Sequence, residues 1–357
     1  MLFYCPIGDM FLKLVVFNDH KLGCLLEDGS VVDLKQAYKA MLKSNNPSQI
    51  EDETNFRIPS KLVAFIKTGE KGLFAAKQAV EYVKEGNKKS MSGEKLQYKN
   101  EDVKLHAPLP SLASRLIMAG ANFYDHTAGM YSNMGNPVTI EDLKKQVAEG
   151  NYAPWGFYKH ARAVIGPSEN IIYPSKTDRL DYEVEVGAVF GKKGKDIPEE
   201  EAMDYIYGYT IVLDMSCRST VGGSGRRGGG RGPSNELVSG KRFDTSAPMG
   251  PCLVTADEVG DPNELKLGLN VNGEVRQNGR MSDMIRGFPF WINHVTKDLT
   301  LYPGDIVCGG TCAGTAADMT PRGPDRKQAP DLFLKPGDKI EAWVDKIGTL
   351  KNQIIAK

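Results

Sequence analysis

Asp181-Tyr-Glu-Val-Glu-Val-Gly-Ala-Val-Phe190 reads as a β-strand whose two faces differ in chemistry. Side chains in a strand point alternately to opposite sides. Tyr182, Val184, Val186, Ala188 and Phe190 therefore form one apolar face, while Glu183 and Glu185 project together from the other, which continues as Gly187 and Val189. A single Glu-x-Glu is most often a solvated strand face. Here a second apolar run, Gly208-Tyr-Thr-Ile-Val-Leu213, delivers a further carboxylate, Asp214, at its end. Neighbouring carboxylates repel and are costly to bury unless a cation joins them. Three of them, with positions left for water and substrate, suit a hard oxygen-seeking ion such as magnesium or manganese. The spacing alone leaves the solvated-face reading open beside the metal site.

Outward from this strand the pattern stays short and β-rich. From Gly208 onward most apolar runs are β-branched and bounded by Gly, Pro or Asn, as in LKLGLNVNGEVRQ, DIVCGGT and KIEAWVDKIGTLKNQII, so this part is expected to be mostly β. Upstream, Leu116 to Gly120 reads as a buried strand, Thr139 with Asp142 as a helix-opening cap, and Pro198 to Tyr207 as a short helix with glutamates in its first turn. Phe11 to Leu34 alternates short apolar runs with the turn signals Asn18-Asp19 and Asp28-Gly29, which predicts a small β-rich unit. Leu73, Phe74, Ala76, Ala79, Val80 and Val83 recur at helical spacing, before the polar stretch EGNKKSMSGEK. A boundary between Gly86 and Pro110 divides the chain into a small N-terminal domain, 10–105, and a larger domain, 110–357. With no strand-helix alternation and no internal repeat, a doubly wound nucleotide-binding fold is not expected. The expected class is α+β, mostly β.

Composition narrows the partners. Lys plus Arg and Asp plus Glu both total 45 in 357 residues, so no global field gathers nucleic acid or an anionic membrane. The six cysteines lack a disulfide or zinc framework; Cys308 and Cys312, the close pair, have no second pair at zinc-site spacing. They read as reduced thiols, and the absence of a membrane-length apolar run or a leader-like start gives a cytoplasmic expectation.

The segments RLIMAGANFYDH, LDYEVEVGAVFGK, GYTIVLDMSCR, GKRFDTSAPMGP, VNGEVRQ, LTLYPGDIVCGGTCAG and LKPGDKIEAWVDKIGTLKNQ, in this order from Arg115 to the C-terminus, resemble the fumarylacetoacetate hydrolase family. The resemblance implies a mixed β-roll catalytic domain behind a small β-rich one, commonly in a homodimer. It implies that Glu183, Glu185 and Asp214 bind magnesium, manganese or calcium. It also implies chemistry next to a keto acid: foremost hydrolysis of a C–C bond in a small acylpyruvate-like or β-diketo acid. The alternatives are a lyase (sugar-acid dehydratase or keto-acid decarboxylase) and a non-catalytic metal-binding module.

By the same resemblance, Lys241 in GKRFDTSAPMGP faces the substrate oxygens, where a cation stabilises developing negative charge, although a solvated loop lysine is the bland alternative. Thr311 in GGTCAG meets the substrate carboxylate, with Cys312 standing where the family usually has proline. Cys312 itself reads as a small buried residue rather than a nucleophile. His126 in ANFYDHTAG takes the place of a general base or water-orienting histidine. The glutamate that partners such a histidine three residues later is replaced by Gly129, so either another carboxylate, Asp125 or Glu141, substitutes or the chemistry needs only one base. Phe157, Tyr158 and Lys159 in WGFYKH fall where the family lines its pocket, with Lys159 a substrate-binding candidate; Trp155 and Phe157 also suit plain packing. Between Val221 and Ser234 lies GGSGRRGGGRGP. It has neither the ending of a phosphate loop nor aromatics to stack bases. A flexible loop is the simple reading, and a lid bringing Arg226, Arg227 or Arg231 to an anionic substrate is the functional one.

Overall fold

The computed structural model describes residues 11–357 except 43–46, 91–92, 110–112, 134, 219–239, 322, 324–328 and 330. Among the described residues a twelve-stranded sheet runs, edge to edge, through Gln97–Tyr98, Val31–Asp33, Lys21–Leu25, Lys13–Phe17, Ala247–Thr255, Ile206–Leu213, Val184–Phe190, Ile306–Cys308, Leu116–Gly120 and Trp155–Lys159. Two short strands, Leu105–His106 and Val164–Ile165, pair off this path. Within the path the pairing is antiparallel except between Ile306–Cys308 and Leu116–Gly120. A second sheet orders Glu274–Arg280, Lys266–Val271, Lys339–Val344, Gly348–Ile355 and Asn170–Ile172.

The carboxylate strand lies inside the large sheet and is buried along its whole length. Its expected apolar face, Val184, Val186, Ala188 and Phe190, packs into a core shared with the second sheet and with Phe288 and Trp291 of the helix Phe288–Thr296. The opposite face is buried too. Val189 joins Val212, Ile306 and Cys308 against Phe65, Ala76, Ala79 and Val80 of the N-terminal helices. Burial of each Val or Phe side chain here stabilises by about 1.5–3 kcal/mol, and a one-residue register slip would turn Glu183 and Glu185 into the apolar core.

The N-terminal meander forms with its turn at Asn18-Asp19, pairing Leu14 with Cys24 and Cys24 with Val32. Its strands continue the large sheet through Lys13↔Val254 and Leu14↔Leu253. The β-rich expectation covers only part of this region, because helices occupy more of residues 11–106 than strands do. The reason is local: Asp33 caps the helix Leu34–Met41 by accepting from Gln36 N, and Leu34, Ala37 and Tyr38 then bury one helical face. Thr139 and Asp142 form the capping box of Ile140–Ala148, as expected. No helix among the described residues is long and apolar enough to cross a membrane.

Candidate active site

Antiparallel pairing of Val184 with Leu213 places Glu183 beside Asp214 at the same end of the sheet. The backbone bond from Asp214 N to Glu183 O, 2.9 Å, closes that end. Glu185, two residues on, shares the face of Glu183, and the three side chains offer oxygens within 4.8 Å of one another. Relative exposures are 5% for Glu183 and 1% for Glu185 and Asp214. Charge buried to this degree costs several kcal/mol per ion unless it is neutralised.

Three cations answer it unequally. Lys241 Nζ lies 2.7 Å from Glu183 Oε2 and 2.6 Å from Asp214 Oδ2, and also donates to Ser216 Oγ. Arg218 donates to Glu183 and, through Nε at 2.8 Å, to Asp181. Lys159 Nζ lies 2.8 Å from Asp214 Oδ1 and donates to Met215 O and Ser246 O. Burial works against ionisation of Glu183, yet Lys241 and Arg218 outweigh it and hold the carboxyl well below its usual range. Glu185 is the opposite case. Burial, reinforced by Asp214 and Glu183, pushes it well above the usual range. Its carboxylate accepts from Gly310 N at 2.9 Å and meets no cationic side chain within salt-bridge distance among the described residues. Gly310 has φ +87°, a conformation that favours glycine, and this turn aims its N–H at the carboxylate. A three-oxygen donor set with one uncompensated carboxylate fits a hard divalent ion, and Glu183, Glu185 and Asp214 would hold it.

The carboxylates form the floor of a cavity of about 700 Å³, with Ala121, Met130, Trp155 and Phe157 on its apolar side. His126 also lines it, from the first turn of the helix Tyr124–Asn133. Its Nδ1 lies 2.8 Å from Asp318 Oδ2. The partner expected at Asp125 or Glu141 is thus found elsewhere: Asp125 Oδ1 accepts from the backbone N of His126, and Glu141 is exposed. Burial disfavours the charged imidazole, but Asp318 beside it holds the ring pKa above its ordinary value.

Thr311 lines the cavity, but its hydroxyl is committed, donating to Val184 O and accepting from Gln277 Nε2, each at 2.8 Å. Gln277 also accepts from Val184 N and donates to Cys312 O, bracing this turn against the carboxylate strand. Cys312 is fully buried, and burial pushes its thiol up to about 12, which suits packing rather than nucleophilic attack. Lys159 departs from the substrate-binding expectation. Its side chain is 0% exposed, outside the cavity lining, with the ammonium taken up by Asp214 and two carbonyls. Tyr158 points outward and is exposed. Arg226, Arg227 and Arg231, with the rest of the glycine-arginine stretch, lie outside the described residues.

Asp181, Ser216, Arg218 and Asp318 are the site residues that motif reading passes over. Arg218 stands in the segment GYTIVLDMSCR, so its closeness to Asp214 was a usable signal. Asp318 lies 192 residues from His126 and carries no such signal.

With three carboxylates at the head of paired strands and an imidazole over them, the chain belongs to the fumarylacetoacetate hydrolase family. Residues 115–355 match the family description "Fumarylacetoacetate (FAA) hydrolase C-terminal". The chain is similar to oxaloacetate tautomerase YisK of Bacillus subtilis, 34% identical over 95% of this chain and 97% of that protein. It is also similar to a mitochondrial oxaloacetate tautomerase of Bos taurus, 32% identical over 88% of this chain and 86% of that protein. Its fold matches the crystal structure of maleylpyruvate hydrolase from Sphingobium sp. SYK-6 in complex with manganese(II) ion and pyruvate. That match has a TM-score of 0.64 and 23% identity, and covers 97% of this chain and 99% of that one.

Proposed function

We propose that this protein is a divalent-metal-dependent enzyme that interconverts the keto and enol forms of a small 2-keto dicarboxylic acid of the oxaloacetate kind. The observation that carries the reading is one cavity with two parts: a carboxylate cluster that fits a divalent ion, and an imidazole backed by a carboxylate. The similarity to oxaloacetate tautomerases over nearly the whole chain supports the same reading. When bound, magnesium or manganese supplies Lewis-acid polarisation of the keto oxygen. His126 takes a proton from the carbon next to the keto group; that C–H pair becomes the C=C bond, and the carbonyl pair moves to oxygen. Lys241, in the cavity wall, stabilises the charge arriving on that oxygen, which takes a proton from solvent to give the enol while His126 releases its own to solvent. We carry the homodimer over as part of this proposal on the family resemblance, and the cytoplasmic location on the reading of the cysteines as reduced thiols.

Hydrolysis of an acylpyruvate is the second reading, and the cavity favours it in one respect. A volume of about 700 Å³ with an apolar side of Met130, Trp155 and Phe157 has room for a longer acyl chain than oxaloacetate carries. The lyase and non-catalytic readings gain no comparable observation. The test follows decay of the oxaloacetate enol absorbance, and release of pyruvate from acylpyruvates, each with manganese and with chelator. Metal-dependent enol–keto conversion without pyruvate release is expected. Pyruvate release alone would move the assignment to the hydrolase, and inactivity in both would overturn both.

A further inference from the structure

We infer a second substrate class for this enzyme: arylpyruvates, with the ring seated in a side chamber next to the catalytic cavity. The inference rests on the keto–enol reading above and extends it to keto acids with a neutral aromatic tail. The chamber, about 460 Å³, shares Ala121, Met130 and Trp155 with the catalytic cavity. The helix Tyr124–Asn133 stands between the two. His126 and Met130, four residues apart, share the face that lines the catalytic cavity, while Thr127 and Tyr131, one position on, line the chamber. Across from it, the helix Ile140–Ala148 ends in a Schellman turn: Gly150, at φ +73°, donates to Val147 O at 3.2 Å, and Asn151 N donates to Gln146 O at 2.8 Å. That turn brings Gln146, Asn151 and Tyr152 to the same chamber. The Tyr152 hydroxyl then donates to Ala121 O, which also accepts from Thr127 Oγ1 at 2.8 Å. Ala121 sits at φ +48°, a conformation that a residue with a Cβ rarely adopts, and these two bonds hold it there.

The lining selects the occupant. Among the described residues no charged side chain lines the chamber, so a second carboxylate would lose its water there with no cation to meet it. An aromatic ring is suited to the place. A Cβ built at Gly120 would lie 2.4–2.5 Å from three atoms of the Trp155 ring, so the indole rests against bare backbone and keeps a face for a guest. Tyr131, Tyr152 and the Met130 thioether add surfaces that rings pack against. An apolar cavity of roughly 150 Å³ already takes a benzene ring, and Gln146 supplies an amide to a hydroxyl on such a ring. The chemistry is the same isomerisation and needs no co-reactant. His126 takes a proton from the carbon between ring and keto group, that C–H pair becomes the C=C bond, and the carbonyl pair moves to oxygen, which takes a proton from solvent.

The test follows decay of the enol absorbance of phenylpyruvate and para-hydroxyphenylpyruvate beside that of oxaloacetate, with manganese bound. The wild type is expected to convert all three, with the para-hydroxy compound ahead of phenylpyruvate by about 2–10-fold in kcat/KM, the range of one net hydrogen bond. Gln146→Leu should erase that preference. Ala153→Phe fills the chamber from a residue outside the catalytic cavity. It should lower kcat/KM on both arylpyruvates by ~10-fold or more and hold oxaloacetate within about twofold. Manganese affinity, read by electron paramagnetic resonance, should not move in either variant. Saturation-transfer NMR on the magnesium-loaded wild type should mark the ring protons of para-hydroxyphenylpyruvate, a signal that Ala153→Phe removes. If oxaloacetate is converted and neither arylpyruvate is, or if Ala153→Phe with unchanged manganese affinity slows all three alike, this inference falls and the keto–enol reading stands. Conversion of the arylpyruvates alone would keep the chamber and move the proposed function away from dicarboxylic acids, and conversion of none would overturn both.

Discussion

On the floor of the cavity, Glu183, Glu185 and Asp214 gather from two neighbouring strands and draw in three cations, Lys159, Arg218 and Lys241. On its wall, one imidazole and one carboxylate meet from segments 192 residues apart, fixed by caps and side-chain-to-backbone bonds. The floor is dense in charge and unevenly matched: Lys241 and Arg218 hold Glu183 ionised against its burial, while burial with Asp214 and Glu183 drives Glu185 toward the neutral form. The wall is a single matched pair. Charge placed by sheet register leaves a residue for an ion to complete, whereas charge placed by a capped turn is complete in itself.

The largest expected effect breaks the floor. Glu183→Ala, Glu185→Ala and Asp214→Ala should each abolish both metal-dependent turnover and manganese binding by resonance titration, since each removes a donor from a set of three. Full activity in any one would remove that residue from the ligand set. Lys241→Met comes next, with an expected loss of about 2–4 kcal/mol of transition-state stabilisation, the range for one electrostatic donor in a dry site. An unchanged kcat/KM would leave Lys241 as a counter-ion only.

Glu185 sharpens the comparison through pH. Its folded pKa is raised, so folding favours its protonated form. That contribution is full below the unfolded carboxyl pKa and is lost as pH rises through the folded value. Metal-free Glu185→Gln should therefore melt above wild type at neutral pH, by about 1–4 kcal/mol of stability, and the gap should close in acid. A Tm below wild type at neutral pH would contradict the uncompensated charge. The smallest effect is on Trp155→Ala, which should weaken long-chain acylpyruvates, measured as inhibitors of oxaloacetate conversion, by roughly 1–3 kcal/mol and leave oxaloacetate turnover within about twofold; equal losses on both would count against an acyl subsite.

The floor was legible because strand alternation and short-range spacing place Glu183, Glu185 and Asp214, and hydrogen-bonded register does the rest. The family resemblance put Lys159 with Phe157 and Tyr158 in the pocket lining, but a motif gives a place in the chain and not a depth. The lysine ends beneath the cavity on Asp214. Thr311 was placed at the cavity wall, though spacing could not show its hydroxyl spent on Val184 and Gln277. Asp318 was out of reach because its meeting with His126 depends on where two distant turns pack. The N-terminal region read as β-rich because its first strands carry clear turn signals, while the helix Leu34–Met41 starts from a single cap, Asp33, at the end of a strand-like run.

The pairing of Lys13 and Leu14 with Val254 and Leu253 has a consequence for how the chain can be divided. Cut away residues 1–109, and the end of Ala247–Thr255 that pairs with Lys13 and Leu14 becomes an edge, while Ala247 and Pro248 keep Val164 and Ile165 as partners. Such an edge is a template for another copy of itself. The isolated catalytic segment would accordingly be a self-associating species in solution, and the N-terminal meander acts for it as a guard against aggregation.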